Sequence, residues 1–172
     1  AIDNSLRFND DDSAYLSRTP SVAGNRKTWT WSGWVKRGNL AASSSTNWFF
    51  GGGATNNTRI GFHQSAASKD DLLVLYFEGI SGGDKTLYSS RLFRDSSAWY
   101  HILIAFETSQ STNTNRIKVY VNGTLQTDFD SGVDYPAQNE DLYVQTATQV
   151  KAVIGRYSDA ATQIQSGYLA EF

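Results

Sequence analysis

Residues 28–38, TWTWSGWVKRG, alternate along their length: Trp29, Trp31, Gly33 and Val35 point one way, Thr30, Ser32, Trp34 and Lys36 the other. Residues two apart share a face only in an extended chain, so the segment predicts a half-buried β-strand. IKVYVNG, residues 117–123, repeats the pattern, with Ile117, Val119 and Val121 set against Lys118, Tyr120 and Asn122. LLVLYFEG, residues 72–79, is apolar on both faces and rich in β-formers, which predicts a central strand covered on both sides.

SLRF, AYLSRT, WFFGGG, TRIGFHQ, TLYSSRLF, WYHILIAFE, QVKAVIGRY and SGYLAEF read as further strands. That makes about ten or more short strands at spacings of roughly 8–15 residues, with turn chemistry between them. The linking segments are built from Gly, Ser, Asn and Asp, which tolerate left-handed backbone. SSAWYHI, which could begin with one turn, is the single helix candidate. No repeat of fixed period and no domain boundary interrupt residues 1–172. The pattern therefore predicts one all-β domain, a two-sheet antiparallel β-sandwich of jelly-roll type.

Composition narrows the function classes. The net charge of −2 gives no broad basic surface, so neither nucleic acid nor an anionic membrane is an expected partner. No apolar run approaches the roughly 20 residues of a membrane-spanning helix, and no signal peptide is visible. Without cysteine there is no disulfide framework and no thiolate metal site. The chain has no Met, starts at Ala1 and ends in GYLAEF, which reads as a strand cut at its end. A processed chain or a fragment of a longer protein is expected.

Candidate chemistry follows from the residues left over. Glycoside hydrolysis needs two carboxyl groups about 5–5.5 Å apart in retaining enzymes, which on a strand would appear as two acids at i and i+2. None of Glu78, Glu107, Glu140 and Glu171 has such a partner on a convincing strand; Asp128 and Asp130 have the spacing, but after a turn. His63 and His101 are the only imidazoles. His101, inside WYHILIAF, reads as a structural histidine hydrogen-bonded to a neighbouring loop, and His63 as a strand residue near a rim. GGG at 51–53 has no Lys-Ser/Thr after it, so it is no phosphate loop.

For a metal, the densest acidic run is NDDD, with Asp10, Asp11 and Asp12; Asp84, Asp128 and Asp159 are other loop acids. Calcium is the ion such loops would suit, and a solvated acidic turn is the favoured alternative. Sugar binding needs an aromatic ring for the apolar face of a pyranose, and short polar groups for its hydroxyls. Trp34 on the polar face of its strand, Trp48 at a loop–strand junction, and Tyr135 and Tyr157 in polar loops are the candidate platforms, each with core packing as its ordinary alternative.

The ordered set TWTWSGWVKRG, WYHILIAFE, IKVYVNGTLQ, VIGR and GYLAEF resembles the laminin-G-like branch of the concanavalin A-like lectin/glucanase superfamily over nearly the whole chain. Residues 5–38 are similar to domains found in structural proteins of tailed phages, notably aquatic ones. The resemblance implies a jelly roll that binds carbohydrate or protein, commonly as an accessory domain without activity. The E-x-D-x-x-E strand motif of glucanase relatives is absent, so their activity is not implied. Some relatives bind calcium at a rim, but their pattern has no residue-by-residue match here. On the family reading Trp34, Trp99, His101, Tyr120, Asn122 and Gly123 are mainly structural, with Asn122-Gly123 forming a tight turn.

The expected function is a non-enzymatic adhesion module on a virion appendage (tail fibre, spike or head fibre) that recognises host-surface glycan. It needs no cofactor, with calcium the only candidate, and can form a homo-oligomer through its parent protein. A decoration module packed against other virion proteins is the alternative, and a remnant glycan hydrolase the third reading.

Overall fold

The computed structural model describes residues 2–9, 11–40, 46–53, 56–64, 69–130, 133–144, 152–158 and 165–172. Among these lie twelve strands: β1 Leu6–Phe8, β2 Leu16–Arg18, β3 Thr28–Arg37, β4 Asn47–Gly53, β5 Asn57–Phe62, β6 Leu72–Phe77, β7 Lys85–Leu92, β8 Tyr100–Glu107, β9 Ile117–Val121, β10 Thr124–Gln126, β11 Ala152–Ile154 and β12 Gly167–Ala170. They form two six-stranded sheets, ordered β1-β12-β3-β8-β9-β10 and β2-β11-β4-β5-β6-β7. Every pairing is antiparallel.

The period-2 strands behave as their alternation requires. Trp31 and Val35 of β3, Ile102, Ile104 and Phe106 of β8, and Ile117, Val119 and Val121 of β9 are buried between the sheets. Leu73, Leu75 and Phe77 of β6 and Phe49, Ile60 and Phe62 of β4 and β5 meet them from the second sheet. Asn122 and Gly123 both have left-handed backbone, with φ of 50° and 78°. They make the two-residue turn that folds β10 back on β9, as hairpin twist demands.

Three details differ from the sequence reading. β6 is buried on both faces but lies second from the edge, because β7 pairs beyond it. SSAWYHI forms a turn and then a strand, not a helix: Asp95 accepts from Ser97 N–H at 2.8 Å, and β8 begins at Tyr100. One turn followed by β-formers gains nothing from nucleating a helix. The helical turn found among the described residues is instead a 3-10 turn, Asn113–Asn115, in the polar tip between β8 and β9. QVKAVIGRY is a strand only over β11. Gly155 ends it with φ of 92°, where a Cβ would stand 2.4 Å from the Phe8 ring; residues 149–151 lie outside the described residues.

Candidate functional site

β10 is only three residues long, and after it the chain leaves the first sheet. It crosses to the open edge of the second sheet and runs beside β7. Phe129 bridges Ser89, Asp130 N–H donates to Tyr88 C=O at 2.9 Å, and Asp128 C=O accepts from Ser90 N–H at 3.3 Å. Arg116 fixes the other wall. Its Nε donates to Gln110 C=O at 2.9 Å, Nη2 to Ser111 C=O at 3.0 Å and Nη1 to Pro136 C=O at 2.8 Å. One guanidinium thus joins the polar tip to the segment that carries Tyr135.

Between these walls lies a cleft of about 300 Å³, whose lining includes Phe129, Tyr135, Leu125, Asn115, Gln126 and Lys118. Phe129 and Tyr135 are half-buried against the core and give the cleft two rings. Burial pushes the Tyr135 phenol pKa up. No described group bonds the Tyr135 hydroxyl, the Asn115 amide or the Lys118 ammonium, so each can meet a ligand. Among the described residues no carboxylate lines the cleft. The size is at the lower bound of small-molecule sites, roughly 300 Å³.

The four aromatic candidates do not converge. Tyr135 is the one in the cleft. Trp34 stands half-buried on the outer face of the first sheet, where its Nε1 donates to Glu171 Oε2 at 3.1 Å and its ring lies 5.1 Å from that of His101. Trp48 and Tyr157 come together on the outer face of the second sheet, edge to face at 6.2 Å. Trp48 is only 5% exposed, so it is a floor and not an open platform. A bulge between Trp48 and Phe50 is the reason: Phe49 and Phe50 both turn to the core, and Trp48 is left outside beneath its neighbours.

What gathers Trp48 and Tyr157 is Arg59, which the sequence did not single out. Its Cζ lies 4.0 Å from the Tyr157 ring centre, 5.0 Å from Tyr76 and 5.7 Å from Trp48. Nη2 pairs with Glu78 at 2.5 Å, Nε donates to Asn57, and Asn57 Nδ2 donates to the same Glu78 oxygen at 2.6 Å. The GGG run serves this arrangement: a Cβ on Gly51 would stand 2.1 Å from the Tyr157 carbonyl oxygen. The cluster therefore braces residue 157 against the sheet, with its charge already neutralised by Glu78.

Beside it, the Tyr76 hydroxyl donates to Asp84 Oδ2 at 2.6 Å, and Asp84 Oδ1 accepts from Gly79 N–H at 2.9 Å. Burial first, and the bond to Asp84 second, push the Tyr76 pKa up to about 12, while the same bond from Tyr76 and that from Gly79 pull Asp84 down. An unfolded tyrosine ionises near ~10. Between that pH and about 12 the unfolded chain releases a proton that the folded chain keeps, so the contribution of Tyr76 is whole below pH ~10 and lost as pH rises toward 12. Melting at pH 9 and pH 11 should show a smaller alkaline loss of Tm in Tyr76→Phe than in the wild type; parallel losses would refute the coupling.

The other candidates are placed as follows. Asp10 and Asp159 lie outside the described residues. Asp11 and Asp12 sit in an exposed turn, where Asp12 accepts from Asn9 Nδ2 at 2.8 Å. Among the described residues no group of three or more His, Cys, Asp or Glu could hold a metal ion. Asp130 pairs with Lys69 at 2.8 Å. His101 Nε2 lies 3.2 Å from Ser32 Oγ on the adjacent strand, and the His101 backbone N–H donates to Asn122 Oδ1 at 2.8 Å. His63 follows β5, its ring edge-on to Tyr88 at 5.3 Å, and burial lowers its pKa.

A laminin G family model, described as concanavalin A-like lectin/glucanases superfamily, matches residues 8–171. Among solved structures, domains LG4-5 of the mouse laminin alpha1 chain align with a TM-score of 0.63 and 10% identity, over 98% of this chain and 40% of that one. The native heptameric SAP-like pentraxin from Limulus polyphemus aligns with a TM-score of 0.57 and 16% identity, over 91% of this chain and 67% of that one. At these identities the likeness is one of fold. No curated protein sequence matches the chain.

Proposed function

Since the chain belongs to the concanavalin A-like lectin/glucanase superfamily, we propose that it is a non-enzymatic carbohydrate-binding module whose ligand enters the cleft at Tyr135. The observation that carries this reading is the cleft's lining: two half-buried rings, Phe129 and Tyr135, beside Asn115, Lys118 and Tyr135 polar groups that no described residue bonds. A sugar offers the matching surfaces, an apolar ring face and a rim of hydroxyls. Hydrolysis would need two facing carboxyls, and the described residues of the cleft lining include none. The resemblance of residues 5–38 to phage structural domains supports the reading that the module sits on a tailed-phage appendage, facing host-surface glycan. Several copies on one particle would turn a weak single site into firm adhesion.

A glycan array that includes bacterial surface polysaccharides, probed with a multivalent form of the domain, tests this. Selective binding is expected, and Tyr135→Ala should weaken it at least tenfold, about the 1.4 kcal/mol that one lost stacking contact is worth. Insensitivity to chelator is expected of this cleft. Silence across a broad array, with the domain folded, would move the function to protein contacts within a virion.

A further inference from the structure

The outer face of the first sheet begins at the mouth of the cleft. Lys118 and Leu125 line the cleft, and register carries the surface onward from them: Leu125 lies opposite Tyr120, and Tyr120 opposite Leu103. Two residues along β8 is His101, which lies opposite Trp34 on β3. All of these point away from the core, because their strand neighbours Val119, Val121, Ile102, Ile104 and Val35 point into it. No helix or further sheet covers this face among the described residues. With strands ~4.8 Å apart and same-face residues ~6.7 Å apart, Tyr120 and Trp34 are separated by on the order of 12 Å.

Trp34 is held ready. Glu171 takes its indole N–H at 3.1 Å, and His101 flanks the ring at 5.1 Å while its own Nε2 is engaged by Ser32. A ring fixed before binding loses little freedom on meeting a ligand. The strip is not a continuous apolar patch: rings and leucines alternate with the hydroxyl of Ser32, the imidazole of His101 and the ammonium of Lys118. That mixture suits successive sugar rings, which offer apolar faces and polar edges in turn, better than it suits the dry centre of a dimer.

We infer that the ligand is an extended polysaccharide, one end seated at Tyr135 and the chain running over Tyr120 to Trp34. The inference rests on the cleft being a sugar site. Its test uses the glycan class that binds on the array, cut to a series of oligosaccharides from dimer to octamer and titrated calorimetrically. Affinity should climb at least tenfold with length, and Trp34→Ala should flatten the climb so that long and short oligomers bind alike. Trp34→Phe, which keeps a ring, should retain most of the gain, and so separates a lost platform from a damaged fold. Affinity independent of length in the wild type overturns the track and leaves the cleft standing. No binding at any length overturns both. A wild type that sediments as a dimer while Trp34→Ala is a monomer makes the face a self-interface, and the track falls.

Discussion

Asp71→Asn should cost about 3–5 kcal/mol of folding stability, seen as a lower urea midpoint with an unchanged slope. Arg37, at the end of β3, is 1% exposed and lies 5.0 Å from the Phe62 ring centre. Its Nη1 donates to Asp71 Oδ1 at 2.7 Å and to Phe93 C=O, while Nε and Nη2 are buried without a partner among the described residues. Burial already pulls the guanidinium below its ordinary pKa, and the hydrogen bond and charge of Asp71 are what oppose that. Asparagine keeps the size of the side chain and tolerates the left-handed backbone of residue 71, φ 68°. The substitution therefore isolates the loss of the negative charge. Arg94 supplies the control. It touches the same carboxylate at 3.0 Å but is 63% exposed, so Arg94→Ala should cost no more than about 1 kcal/mol. Equal costs for the two variants would show that Arg37 is not the cation at stake.

How far this architecture was legible depends on whether the signal was local. β3, β8 and β9 declare themselves by period 2, and the β9–β10 turn by Asn122-Gly123, since both signals are complete within a few residues. The same parity, carried two residues past Val35, puts Arg37 on the core face. What the sequence could not supply is its partner, 34 residues away across the sandwich. Trp48 misleads for a comparable reason: a bulge shifts parity inside WFF, and the Arg59 cluster that buries it spans residues 57 to 157.

The cleft was half legible. Tyr135 could be named as a polar-loop aromatic, but Phe129, Lys118 and Asn115 join it only because the chain changes sheets after β10. Arg116, which shapes the cleft through three carbonyls, reads in the sequence as an ordinary strand-end cation. Backbone carbonyls carry no side-chain identity, so the pattern leaves no trace of them. Asp11 and Asp12 stand out in sequence because acids cluster there, yet their turn is exposed, and loop acids gain metal-binding geometry only from partners brought by the fold.

Phe106→Ala should destabilise the protein by about 3–5 kcal/mol, and it acts at the opposite end of the paired strands β3 and β8 from Arg37, across from Trp29. Phe106, on β8, is 1% exposed. It stacks on Trp29 of β3 at 3.9 Å and 11°, and meets Phe77 of β6 edge-on at 6.2 Å and 81°. One ring thus packs within the first sheet and across to the second, so its loss opens a cavity that neither sheet can close alone. Phe106→Leu fills most of that volume and should cost less than half as much; the Trp29 environment, read by fluorescence, should shift in the alanine variant and little in the leucine one. Trp29 and Arg37 are eight residues apart on β3, roughly 26 Å of strand, and substitutions that far apart usually add. The double variant Phe106→Ala/Asp71→Asn should then lose about 6–10 kcal/mol, against a typical total of about 5–15 kcal/mol. It should be largely unfolded at 25 °C, while each single variant still melts cooperatively. A double variant no worse than either single one would mean that the two ends of β3 fail together, as one cooperative contact and not as two independent clasps.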